Sequence, residues 1–197
     1  MHATASITAQ RVRRLLHTRI LSTVVPNVLA ILLLCCSIST VTASEPAARE
    51  YQVKAAFLYN FSRFVIWPGE IEDTFNLCVV GSNPFNGLLD TLIGKSVNNS
   101  IIIIEYHENI DTIDDCHLAY IGQSLEYDIE RTMSVLRNMP ILTISDIDRF
   151  THAGGMIRFK LDNKKVRFDI NIDAIDSSGL IISSKLLSLA TIVKTGQ

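Results

Sequence analysis

The 197-residue sequence is poor in the groupings on which catalysis and metal binding are built. It has no G-x-S-x-G elbow, so an exported hydrolase would lack its nucleophile held beside a base. It has neither an H-E-x-x-H nor a C-x-x-C pair. His107, His117 and His152 stand far apart and read as surface or packed side chains, not as a ligand set. No G-x-G-x-x-G follows a strand, and no basic run occurs beyond residue 43, which argues against nucleic acid as a partner. The single tryptophan, Trp67, reads as a packed helix end. No catalytic residue, cofactor or metal is expected.

What is present begins with a leader. Residues 1–19 carry Arg11, Arg13, Arg14 and Arg19 and no acid. An apolar run from Val28 to Ile38 follows, and then Val41-Thr42-Ala43. A basic start, an apolar stretch shorter than a bilayer span and a small-x-small site make a secretory signal peptide over 1–43; an uncleaved anchor is the other reading. Leu34 is too bulky for a lipoprotein site at Cys35 or Cys36, and the length leaves room for a start downstream of Met1. Cleavage after Ala43 leaves 154 residues over 44–197, enough for one domain with a core, with 14 basic and 20 acidic side chains. The periplasm is the expected compartment.

Residues 74–145 set the fold class. Phe75–Gly81, Ile101–Ile104, Leu118–Gly122 and Ile141–Ile144 are short, near-continuous apolar runs, separated by helical stretches at Pro84–Ile93, around Ile110 and at Ser124–Met139. Such runs imply a parallel sheet covered on both faces, a doubly wound α/β three-layer sandwich ordered 2-1-3-4. In that order Cys78, in the first strand, and Cys116, just ahead of the third, lie toward the N-terminal ends of neighbouring strands, and an oxidising compartment favours a disulfide. Their unequal distances from Gly81 and Gly122 leave two buried free thiols as the alternative.

Outside that stretch, Glu50–Trp67 reads as a helix with a Val53-Phe57-Phe61-Phe64 stripe and apolar residues beyond it, stopped by Pro68-Gly69. So much apolar surface leaves room for a partner chain. Met156–Leu161 and Lys165–Asn171 alternate with period two and predict a C-terminal antiparallel hairpin turning at Asn163-Lys164. Its register pairs Leu161 with Val166, Phe159 with Phe168, Ile157 with Ile170 and Arg158 with Asp169. Asp173–Ser178 reads as a helical turn, Leu180–Ile182 as a short strand, and Ser183 as the cap of a last helix reaching Val193. Asp146 and Asp148 read as capping carboxylates in a turn.

A ligand site, if the chain is a small-molecule sensor, belongs at the C-terminal edge of the sheet. Its candidates are Ser82 and Asn83 after the first strand and Gln123 and Ser124 after the third. Arg158, Arg167 and Asp169 on the polar hairpin face add charge there, or form a cross-strand salt bridge. The stretch Gly81–Gly87 is also where such folds hold phosphates, though Pro84 suits a first helical turn on structural grounds alone.

Several motifs together resemble the YfiR-like family. They are Glu50-Tyr51-Gln52-Val53-Lys54-Ala55-Ala56-Phe57-Leu58-Tyr59-Asn60-Phe61 with Trp67-Pro68, then Leu77-Cys78-Val79-Val80-Gly81 and Pro140-Ile141-Leu142-Thr143-Ile144-Ser145-Asp146. Gly154-Gly155-Met156-Ile157, Val166-Arg167-Phe168-Asp169-Ile170-Asn171 and Ile182–Ala190 complete the set, over about residues 50–190. The resemblance implies a periplasmic, non-catalytic, usually dimeric regulator. Such a protein binds the periplasmic sensor region of an inner-membrane diguanylate cyclase and represses it, lowering cyclic di-GMP and biofilm formation. An outer-membrane lipoprotein that sequesters it is a further implied partner. The resemblance also implies redox sensitivity, which here rests on Cys78 and Cys116 alone because a second family cysteine pair is missing.

Overall fold

The apolar runs pair side by side into an eight-stranded sheet, as seen in a computed structural model describing residues 45–113 and 115–194. The leader read over 1–43 lies outside the described residues. In chain order the strands are β1 (Val65–Ile66), β2 (Thr74–Val80), β3 (Ser96–Val97), β4 (Ser100–His107), β5 (Leu118–Ile121), β6 (Leu142–Ser145), β7 (Ile157–Asp162), β8 (Lys165–Asn171), β9 (Ile181–Ile182) and β10 (Thr191–Val193). The helices are α1 (Glu45–Phe64), α2 (Ile129–Leu136), α3 (Ile172–Ser178) and α4 (Ser184–Leu187). Among the described residues, no helix is long and apolar enough to cross a membrane.

The sheet order is β10-β8-β7-β6-β5-β2-β4-β3, so the expected 2-1-3-4 arrangement is found as β4-β2-β5-β6, all parallel. Strands β7 and β8 pair antiparallel with Leu161 opposite Val166, Phe159 opposite Phe168, Ile157 opposite Ile170 and Arg158 opposite Asp169, the register that the alternation predicted. Asn163 and Lys164 both have positive φ, 50° and 62°, which gives the turn the twist that a two-residue connection needs. This pair does not end the sheet: β10 runs parallel along β8. The last helix is therefore shorter than expected, stopping at Leu187. The apolar Thr191-Ile192-Val193, β-branched throughout, fits a strand better than a helix.

Each face of the sheet carries its own apolar cluster, because alternate residues of one strand point to opposite sides. Phe75, Leu77 and Val79 of β2 join α1, β7 and β8 in one cluster. Cys78 and Val80 join Ile129, Met133 and Leu136 of α2 in the other. The helix α1 is rotated from the expected stripe. Its buried residues are Lys54, Ala55, Leu58, Phe61 and Ser62, while Val53 is 45% exposed and Phe57 half-buried. Two polar residues sit on the buried side because each has a partner there: Lys54 reaches acids, and the Ser62 hydroxyl donates to the Tyr59 carbonyl. The expected helix over 84–93 is a 3-10 turn at Leu88–Leu92, and that over 124–139 begins as a 3-10 turn, Gln123–Asp128, before α2.

Candidate functional site

The crevice beyond the C-terminal ends of β2 and β5 is where a doubly wound sheet offers a ligand site. Here its polar groups are paired with one another. The Ser82 N–H donates to Ser124 Oγ at 2.9 Å, and the Ser124 N–H donates to Ser82 Oγ at 3.1 Å. The two loops meet so closely that a Cβ on Gly122 would lie 2.2 Å from the Ser82 carbonyl oxygen. Asn83 Oδ1 accepts the Phe85 N–H at 2.9 Å, and Gln123 Nε2 donates to Glu126 at 2.7 Å. Phe85 is fully buried between Tyr120 and Tyr51, with ring centroids 4.8 and 5.4 Å away, both edge to face. Ser82 and Ser124 are thus brought together as expected, but as each other's partners. Ser124 caps the neighbouring loop rather than its own helix.

Arg158 and Asp169 sit on β7 and β8, separated from β2 by β5 and β6, so the two groups of candidates are not neighbours. Asp169 is buried and accepts from Arg158 Nε and Nη2 at 3.1 and 2.7 Å, and from Lys160 Nζ. Burial raises its pKa, but the hydrogen bonds and charges of Lys160 and Arg158 outweigh it and hold the carboxyl below its ordinary value. Arg167 is exposed and lies at the border of a different feature, the groove described next.

A polar knot ties α1 to the end of β6. The Tyr51 hydroxyl donates to Asp146 Oδ2 at 2.7 Å, and Lys54 Nζ donates to the same oxygen at 2.8 Å while also contacting Glu50. Burial, then the bond to Asp146, raises the Tyr51 pKa well above normal, and burial followed by the Asp146 charge does the same for Tyr120. Both phenols are therefore neutral donors. Asp146 is a tertiary anchor and not a turn cap; Ser145 Oγ accepts the Ile147 N–H instead.

Rotation of α1 leaves Val53 and Phe57 at the edge of an open groove of about 920 Å³ between the helix and the β7–β8 turn. Leu161, 56% exposed, and half-buried Val166 form its other wall. Lys164, Lys165 and Arg167 stand exposed along that wall. An apolar floor with a cationic border is suited to an amphipathic segment bearing acids.

On the opposite face Cys78 and Cys116 form a disulfide with Cα atoms 5.9 Å apart. The register pairs Cys78 with Ala119, three residues past Cys116. The offset is absorbed because Cys116 lies ahead of β5 in irregular backbone. Trp67 is buried, stacks edge to face on Phe75 at 5.1 Å and donates to the His117 carbonyl at 3.0 Å, as a packed residue should. Burial pulls the His117 imidazole below its ordinary pKa, and its Nδ1 accepts the Asn76 N–H at 3.0 Å.

The domain thus combines a mostly parallel α/β sheet, a crevice whose polar groups pair with one another, a disulfide on one face and an open apolar groove beside α1. The chain belongs to the YfiR/HmsC-like family, whose model matches residues 51–191. The residues missed in sequence are Lys54, Tyr51 and Asp146. Only the i,i+4 spacing of Glu50 and Lys54 hinted that the lysine had a fixed partner.

Proposed function

We propose that this chain is a periplasmic regulator that works by binding and has no chemistry of its own. It occupies the periplasmic sensor region of an inner-membrane diguanylate cyclase, holds the cyclase inactive, and so lowers cyclic di-GMP and biofilm formation. Family membership supports the class of partner, and one structural observation supports binding as the mode: the groove of Val53, Phe57, Leu161 and Val166, bordered by Lys164, Lys165 and Arg167. Apolar side chains exposed at both walls cost solvation in the free protein and are covered when a partner seats there. The regulator shifts the cyclase only by the difference in its affinity for the two cyclase states. A leader over 1–43 delivers it, an outer-membrane lipoprotein competes for it, and it forms a homodimer.

Deletion of the gene tests the reading: cyclic di-GMP and surface attachment rise, and unchanged levels refute it. Val53→Asp with Leu161→Asp should reproduce the deletion while leaving the melting temperature within about 2 °C, since both sites are exposed. A variant that still represses would remove the groove from the mechanism but not the regulator itself.

A further inference from the structure

Beside the disulfide, at the margin of the second apolar cluster, stands a histidine. In the parallel register of β2 and β4, Glu105 lies opposite Cys78 and His107 opposite Val80, so Glu105, His107 and Cys78 share one side of the sheet. Around them are Val80, Ile110, Ile113, Ala119 and Ile121. The two cysteine sulfurs and one ring nitrogen of His107 all lie within 4.8 Å of one another. Glu105 Oε2 is 3.3 Å from His107 Nε2, and the Thr112 hydroxyl is 3.0 Å from His107 Nδ1. Metal binding at one ring nitrogen would give up one of these contacts, and the other would keep the ring oriented.

We propose that reduction of Cys78–Cys116 converts this corner into a zinc site made of the two thiolates and His107, with water in the fourth position and Glu105 as the neighbour that orients the imidazole. The donor set is the kind that zinc selects, two soft sulfurs with an imidazole. Tetrahedral coordination with Zn–S bonds of about 2.3 Å sets the sulfurs about 3.8 Å apart, a separation that rotation about the two Cα–Cβ bonds supplies with the Cα atoms 5.9 Å apart. The chemistry balances in two steps. A dithiol reductant exchanges with the disulfide: the Cys78–Cys116 S–S bond breaks, two electrons and two protons reach the cysteines, and the reductant becomes a disulfide. Zn²⁺ then forms two Zn–S bonds and the two thiol protons leave to solvent. Oxidation reverses both steps and releases the ion.

Access runs past Cys116, which lines an open pocket of about 710 Å³ with Trp67, Asn76 and His117 at the opposite edge of the sheet from the crevice. The half-buried His107 ring, with 15% of its side chain exposed, offers a second approach. Metal binding would replace one staple of this face with another, so the reduced chain keeps its shape when zinc is present. The proposal is independent of which protein the groove binds.

The test is zinc content and competition against a chromogenic chelator, with the purified protein reduced by a phosphine or left oxidised. About one zinc per chain is expected after reduction and none before it. Glu105→Gln should weaken binding about tenfold, and His107→Ala further still. Circular dichroism is recorded on each sample, and zinc should raise the melting temperature of the reduced protein only. No zinc retained by the folded, reduced chain overturns the proposal. So does equal binding by His107→Ala, or zinc held only by protein that has lost its circular dichroism.

Discussion

The two faces of the sheet are secured by different means. On one, α1 packs through aromatic rings: Phe61 lies 5.1 Å from Phe168 and 5.8 Å from Phe159, and Phe57 lies 5.3 Å from Phe168. A 20-residue helix supplies a broad surface for burial, and the Tyr51 and Lys54 contacts to Asp146 add to it. On the other, α2 has only eight residues, and the neighbouring segments are 3-10 turns and irregular chain. That cluster has a single aromatic ring, Phe150, among aliphatic side chains, and there a covalent bond closes the chain between β2 and the segment ahead of β5. Where packing is generous no crosslink is found; where it is thin, one is.

The contrast can be broken from either side. Phe61→Ala should have the largest effect, about 4 kcal/mol lost from unfolding free energy in denaturant titrations, because it leaves a void among several rings. Cys78→Ser with Cys116→Ser should cost about 3 kcal/mol under oxidising conditions, from a loop of 38 residues' separation, and should cost nothing further once the parent is reduced. If the crosslink secures only its own face, the two losses add. Asp169→Asn should cost about 2 kcal/mol by stranding Arg158 and Lys160, measured at pH 7. The same carboxyl sets a pH dependence. Its folded pKa lies below its unfolded one, so its contribution is complete above about pH 4 and fades as pH falls through the folded value. Asp169→Asn should therefore flatten the acid limb of the stability profile. The smallest change is a gain: Lys164→Gly should add about 0.5 kcal/mol, because glycine adopts the positive φ of that turn freely.

The stretches legible in the sequence were those where one local rule decides. Alternation over Ile157–Leu161 and Val166–Ile170 fixed the pairing to the residue, since a slip by one would turn Phe159 and Phe168 to solvent. The four apolar runs of the parallel sheet were equally plain, and their order followed from the doubly wound pattern. What was not legible depends on neighbours distant in the chain. The stripe on α1 was misplaced because Val53 and Phe57 are as apolar as the residues actually buried. Lys54 turns inward only because Asp146, 92 residues later, receives it. The crevice candidates were correctly placed at the strand ends, yet nothing local reveals that Ser82 and Ser124 satisfy one another. The grouping of His107 with two cysteines arises from strand register and has no signature in spacing.

The sheet ends on both sides in strands of two and three residues, Ser96–Val97 and Thr191–Val193. Each covers only part of its neighbour: β3 pairs with Ser100 and Ile101 of β4, and β10 with Asp169–Asn171 of β8, so the rest of both longer strands is open along its outer edge. Along one of those open stretches Lys165 and Arg167 stand exposed, and their charge opposes stacking by a further strand, which leaves association to side chains whose fit can discriminate.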